Sequence, residues 1–143
     1  RWYLGKVSRV SGFAGQLGEA EIKPSPNVVQ ASIQFESGAL AGWHVDYVQN
    51  PGTRRIDVIG DRGAARYECG CGRVELKVYG RSSNDQIDVA SDRDGMYRAE
   101  QQHFLDAVDD KHPPLVSADD GLNTLRVAWA IIDSYREGKV VRL

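Results

Sequence analysis

The chain has 143 residues, 41% of them hydrophobic and 27% charged, with a formal net charge of -2. This is the size and make-up of one folded domain, residues 1–143, and it excludes a disordered polymer. The near-neutral balance gives no ground for nucleic acid or an anionic membrane as a partner, and no apolar run reaches the roughly 20 residues that span a bilayer.

The opening Arg1-Trp2-Tyr3-Leu4-Gly5 lacks the charged-then-apolar layout and small-residue cleavage site of a signal peptide. It reads as the tail of a helix, and the only methionine is Met96, so the expectation is a fragment. Lys6 to Val10 opens a strand, followed by a loop or extended stretch from Gly12 to Pro26. Val28 to Phe35 and Ala39 to Tyr47 alternate around Glu36-Ser37-Gly38, which predicts a hairpin. Asn50-Pro51-Gly52 breaks the sheet. Arg55 to Ile59, Ala64 to Glu68 and Arg73 to Tyr79 are further strands, turned at Gly60–Gly63 and at Cys69–Gly72. Turns this short require antiparallel neighbours, because a parallel crossover needs a dozen or more residues.

Gly80 to Asp94 is polar and rich in turn residues. From Gly95 the period becomes helical, with Tyr97, Phe104 and Val108 on one stripe and Leu105 beside it, ending by Pro113-Pro114. Ser117 and Asp120 make a capping-box-like start for a second helix, and Gly138 is placed to stop it. Leu122, Leu125, Trp129 and Ile132 are expected to form its buried face, widened by Ala128, Ile131 and Tyr135. Burial of the four large side chains would contribute roughly 6–12 kcal/mol before entropy. Val140 to Leu143 completes the chain as a short strand. Strands first and helices later predict an α+β domain, a mainly antiparallel open sheet with two main helices on one face.

The hairpin bears on partners. With Ser37-Gly38 as a two-residue loop, Val29, Ala31, Ile33 and Phe35 point to one side, and Ala41, Trp43, Val45 and Tyr47 to the other. Both faces are then apolar, and the face that the helices leave open calls for a second copy. A three-residue loop slips the register by one and puts both sets on one face.

Catalytic groups are scarce. The Gly60–Gly63 turn joins two strands and is not followed by the helix that would bind a pyrophosphate. His44, His103 and His112 are scattered, and His103, with Glu100 and Asp106 nearby, reads as a solvated helix face. Asp119-Asp120 reads as first-turn charge on a helix. Cys69 and Cys71 are one residue apart, poor geometry for a disulfide, and no second cysteine pair completes a metal site. The expectation is no metal and two reduced thiols, which fit a cytoplasmic protein. The segment from Asp46 to Arg55 gathers an acid, a tyrosine, amides and arginines, a mixture suited to a polyhydroxylated or anionic ligand.

Leu4-Gly5-Lys6-Val7, Phe35-Glu36-Ser37-Gly38-Ala39, Ile56 to Gly63, Tyr97-Arg98-Ala99-Glu100 to Phe104, Pro114 to Gly121 and Ser134 to Leu143 together resemble, in order, the C-terminal domain of the glucose–fructose oxidoreductase, inositol dehydrogenase and MocA family. The resemblance implies a two-part enzyme. Its first part, a Rossmann domain binding NAD or NADP, lies outside these residues, as does the Glu-Lys-Pro segment, and the Asp-x-x-x-His acid–base pair precedes Arg1. It implies that this chain is the substrate-binding and dimerisation domain, with no catalytic residue and no bound cofactor, inactive alone. The parent would oxidise or reduce an alcohol group of a sugar, cyclitol or amino-sugar, as a homo-oligomer through the open sheet face. Asp46, Tyr47, Arg54 and Arg55 become candidates for bordering the substrate. The competing reading is a free-standing ligand-binding or assembly module without enzymatic activity, and a third is a zinc or redox site at Cys69 and Cys71.

Overall fold

A computed structural model describes residues 1–18, 26–69, 73–79, 85–88 and 92–143. Pro24, Cys71 and the polar stretches around them lie outside those residues, as does the side chain of Cys69. Among the described residues the strands are antiparallel throughout, so the α+β class holds, and they form two four-stranded sheets. The chain divides into two compact units, Arg1–Val48 with Leu115–Leu143, and Gln49–Pro114.

The first unit contains β1 (Val7–Gly15), β2 (Val28–Phe35), β3 (Leu40–Asp46), α2 (Ala118–Glu137) and β8 (Val141–Arg142), with sheet order β3-β2-β1-β8. Its core is Val7, Val10, Ala31, Phe35, Ala130 and Ile131, with Leu4, Val29, Ile33, Val127 and Val141 packed against it. Before β1, residues 1–5 close one helical turn, in which the Gly5 N–H donates to the Arg1 carbonyl at 2.8 Å.

The strand expected to stop at Val10 continues to Gly15 because Gly12 is where α2 meets the sheet. A Cβ at Gly12 would lie 2.9 Å from both Cγ2 and the carbonyl oxygen of Ile131, a contact that real side chains do not make. The same absence of a side chain lets the Gly12 N–H reach the Ser134 hydroxyl at 3.0 Å. Ser134 is buried, and its hydroxyl donates in turn to the Lys139 carbonyl at 2.6 Å. One polar side chain thus ties strand, helix and the turn into β8 together, with no group left unsatisfied.

The hairpin takes the three-residue loop. The Phe35 N–H donates to Ala39 O and the Gly38 N–H to Phe35 O, with Gly38 at φ 87°, open to glycine at little cost. Ile33 then faces Ala41, Ala31 faces Trp43 and Val29 faces Val45, all on the core side. The two-faced apolar platform expected from a two-residue loop is therefore not formed. The far face carries Ser11, Gln30, Ser32, Gln34 and His44, with Phe13 and Leu40 exposed among them.

α2 starts and stops where its caps direct. The Ser117 hydroxyl accepts from the Asp120 N–H at 3.2 Å, and Gly138 ends the helix in the left-handed region at φ 63°. Its buried side is the stripe of Ala130, Ile131 and Ser134, flanked by Val127. Leu122, Leu125, Trp129 and Ile132, expected to face the sheet, are exposed. Gly12 goes with this face, because the missing side chain there lets both the backbone and the side chain of Ile131 lie against β1.

The second unit contains β4 (Arg54–Gly60), β5 (Gly63–Cys69), β6 (Arg73–Val78), β7 (Asp85–Asp88) and α1 (Arg93–Val108). Its sheet runs β4-β5-β6-β7. β7 falls in a stretch whose polar composition predicts only turns; its pairing with β6 supplies the order that its own residues do not. Ile56, Tyr67, Val74 and Ile87 form one cross-strand row, with Val58, Ala65 and Leu76 beside them. The opposite face is charged, with Asp57, Arg66 and Glu75 in register. α1 begins two residues before Gly95, capped by Asp92, whose carboxylate accepts from the Gly95 N–H at 2.9 Å. Its stripe of Tyr97, Phe104, Leu105 and Val108 is exposed.

Candidate functional site

Asp46 and Tyr47 stand at the end of β3 in the first unit, and their backbone is fixed by Asn27. Asn27 is buried; its amide side chain accepts from the Leu17 N–H at 2.9 Å and donates to Leu17 O at 2.8 Å. The Asn27 N–H donates to Gly15 O, and its carbonyl accepts from the Tyr47 N–H at 3.1 Å. One residue therefore joins the end of β1, the start of β2 and the exit of β3. Asn27 falls between the expected loop and strand and is not singled out in the sequence, and its amide bonds to the backbone are a use that turn-forming residue types favour.

The Asp46 carboxylate is turned inward, its side chain 8% exposed. One oxygen accepts from the Val48 N–H and the other meets His44 Nε2, both at 2.9 Å. The other ring nitrogen of His44 lies 3.0 Å from Gln30 Oε1. Gln30, His44 and Asp46 thus make a continuous polar chain across β2 and β3. Tyr47 is the opposite case, 89% exposed, its phenol projecting where a hydroxylated ligand can stack on the ring and bond to its oxygen.

Arg54 and Arg55 open β4 in the second unit. Consecutive strand residues point to opposite faces, so the two guanidinium groups do not act as one clamp. Arg54 shares the apolar face with Ile56 and Val58, while Arg55 Nε is 3.0 Å from Asp57 Oδ2. Arg66 Nε meets the other Asp57 oxygen at 2.6 Å. The hydrogen bond from Arg66, with the charges of Arg66 and Arg55, holds the Asp57 carboxyl below the usual carboxylate range, and the same bond to Asp57 raises Arg66. Arg55 is therefore engaged in a surface ion network, whereas Arg54 lies outside that network's ion pairs.

The first unit also carries an open groove of about 640 Å³, bordered by Arg1, Glu36, Arg126, Trp129, Asp133 and Arg142, and neither Asp46 nor Tyr47 lines it. Among the described residues, no group of three His, Cys, Asp or Glu side chains is placed to hold a metal ion. In the second unit His103 and His112, which read as scattered in the sequence, stack with ring centroids 4.4 Å apart. The Gly60–Gly63 turn connects β4 to β5 directly, so it presents no helix N-terminus and does not fit a dinucleotide pyrophosphate. No helix of the described residues is long and apolar enough to cross a membrane.

Residues 1–143 match the oxidoreductase family, C-terminal alpha/beta domain, of glucose–fructose oxidoreductase, inositol dehydrogenase and MocA type. The fold is shared with an aldose-aldose oxidoreductase from Caulobacter crescentus complexed with glycerol, at 24% identity and a TM-score of 0.76, over 96% of this chain and 42% of that one. It is shared with the WlbA dehydrogenase from Bordetella pertussis in complex with NADH and UDP-GlcNAcA, at 20% identity and a TM-score of 0.75, over 99% and 43%. An oxidoreductase from Agrobacterium radiobacter, in complex with NAD+, L-tartaric acid and magnesium, aligns at 20% identity and a TM-score of 0.77, over 99% and 45%. The chain thus spans less than half the length of each of these structures. No curated protein matches it.

Proposed function

Because the chain belongs to the Gfo/Idh/MocA oxidoreductase family as its C-terminal alpha/beta domain, we propose that it is the substrate-binding and self-associating half of an NAD(P)-dependent oxidoreductase. The parent transfers hydride between a nicotinamide ring and an alcohol carbon of a sugar, cyclitol or amino-sugar. The family match over residues 1–143 is the observation that carries this reading. The related structures that hold NADH with UDP-GlcNAcA, and NAD+ with L-tartaric acid, support it by the kind of ligand they bind. The catalytic and dinucleotide-binding groups belong to the other half, so the chain alone is inactive.

Tyr47 is the foremost substrate contact, an exposed phenol on a backbone fixed by Asn27, with Asp46 orienting the strand end beside it. Arg54 is the second, and Arg55, tied to Asp57, is the weakest of the four. Self-association uses the apolar face of the second sheet, where Ile56, Tyr67, Val74 and Ile87 form an unbroken row. This replaces the far face of the first sheet, which is largely polar. A cytoplasmic location accords with the reduced state expected of Cys69 and Cys71. The test is expression of the full reading frame and a screen of sugars, cyclitols and amino-sugars with NAD and NADP. Turnover with at least one supports the reading, and none across the panel contradicts it.

A further inference from the structure

The Asp46 carboxylate is enclosed although β3 is the edge strand of its sheet, and an enclosed carboxylate is costly unless donors meet it. The Val48 N–H supplies one, and His44 Nε2 supplies another. A carboxylate oxygen only accepts, so the ring must present an N–H at Nε2. That requirement sets the ring's orientation and turns Nδ1 towards Gln30, the residue paired with His44 across β2 and β3. The Gln30 amide can accept from an Nδ1–H or, turned over, donate to a bare Nδ1. It therefore holds the ring whether or not Nδ1 carries a proton.

We infer that His44 is a positioning residue for the substrate end: through Asp46 it holds the turn from which the Tyr47 phenol projects. The inference rests on the reading that Tyr47 borders the substrate, and adds what keeps it in place. Tyr47 stands between two backbone anchors. Its own N–H is tied to the Asn27 carbonyl, which fixes where it leaves β3. The Val48 N–H is tied to Asp46 Oδ1, which fixes where the chain goes next. The first anchor joins backbone to backbone and does not involve His44. The second depends on a carboxylate that can rotate, and the bond from His44 opposes that rotation. Without it the carboxylate loses a donor, turns towards water and releases Val48. A side chain as exposed as Tyr47 draws little hold from packing, so the angle of its ring follows from these two anchors.

The experiment compares wild type, His44→Phe and His44→Gln in the intact protein, by residue-resolved amide exchange and by KM. Glutamine can place an N–H where Nε2 stood, whereas phenylalanine keeps only a ring. The expected result is Val48 exchange roughly tenfold faster in His44→Phe, with Tyr47 exchange unchanged and both near wild type in His44→Gln. Faster exchange at both amides marks a general loosening of the sheet and overturns the inference. So does unchanged exchange at Val48, or no recovery with glutamine. The KM probes are glucose, myo-inositol and glucosamine, one from each proposed class. With any that is turned over, His44→Phe raises KM several-fold with kcat little changed, and His44→Gln restores it. A raised KM in Tyr47→Ala with an unchanged one in His44→Phe overturns the inference and leaves the substrate reading standing. An unchanged KM in Tyr47→Ala, or no turnover of any probe, strikes the substrate reading instead; the exchange pattern then decides alone whether His44 positions the turn.

Discussion

Gly12→Ala is the sharpest perturbation of the first unit. The added methyl meets Ile131 Cγ2 and the Ile131 carbonyl at 2.9 Å, and the second of these is backbone, which cannot rotate away. Relief requires α2 to lift from β1, and overpacking of this kind costs about 1–3 kcal/mol. Lifting the helix also lengthens the bond from the Gly12 N–H to Ser134, and leaving a buried donor and acceptor unmade costs about 1–3 kcal/mol more. Against this, alanine restricts the unfolded chain and recovers about 0.4–1 kcal/mol. The net is a destabilisation of about 1–5 kcal/mol, a large part of a typical total of about 5–15 kcal/mol. The assay is urea denaturation of the intact protein followed by tryptophan fluorescence, where the midpoint should fall by roughly 1–2 M. Gly15→Ala is the matched control on the same strand, since its Cβ meets nothing within 4 Å. It should be neutral or stabilising by up to about 1 kcal/mol. Equal midpoints for the two variants would refute the close approach of helix and strand.

Ser134→Ala should cost about 1–3 kcal/mol through the Gly12 and Lys139 groups it leaves unpaired, and should be less than additive with Gly12→Ala in the same denaturation assay. Gly38→Ala, at φ 87°, should cost about 1–2 kcal/mol and accelerate amide exchange in β2 and β3 specifically. Tyr47→Ala in the intact enzyme should raise KM for the substrate about tenfold with kcat little changed, as expected for a contact made equally in ground and transition states; an unchanged KM removes Tyr47 from the site. Asp57 has a depressed pKa in the fold, so its contribution is present above the unfolded carboxylate value and is lost as pH falls through the lowered one. Exchange protection of β4 and β5 should therefore weaken below about pH 4. Asp57→Asn should remove that acid-side step, and an unchanged profile in the variant would contradict it.

What could be read from residues alone was whatever local chemistry decides. The caps of α2 are a serine and a glycine whose roles follow from their type, and β2 was bounded by its alternation at Val28 and Phe35. The face that α2 buries could not be read this way. Hydrophobicity ranks Leu125 and Trp129 above Ala130 and Ser134, but the close approach at Gly12 puts Ile131, and with it Ala130 and Ser134, against the sheet, and that partner lies more than a hundred residues away. The hairpin register turned on one glycine: Gly38 in the left-handed region adds a third loop residue and reverses which side of β3 is apolar. At the site, Asp46 and Tyr47 were visible as residue types. The Asn27 bridge that sets them, and the split of Arg54 and Arg55 across two faces of β4, appear only once the strands are paired.

The claim at the centre of this account is that the chain serves a nicotinamide enzyme without itself holding the nicotinamide. Titration of NADH against the intact protein and against residues 1–143 alone, followed by nucleotide fluorescence, puts that division of labour to a direct trial. Saturable binding by the intact protein and none by the isolated residues is the predicted outcome. Saturable binding by residues 1–143, or none by the intact protein, would contradict it.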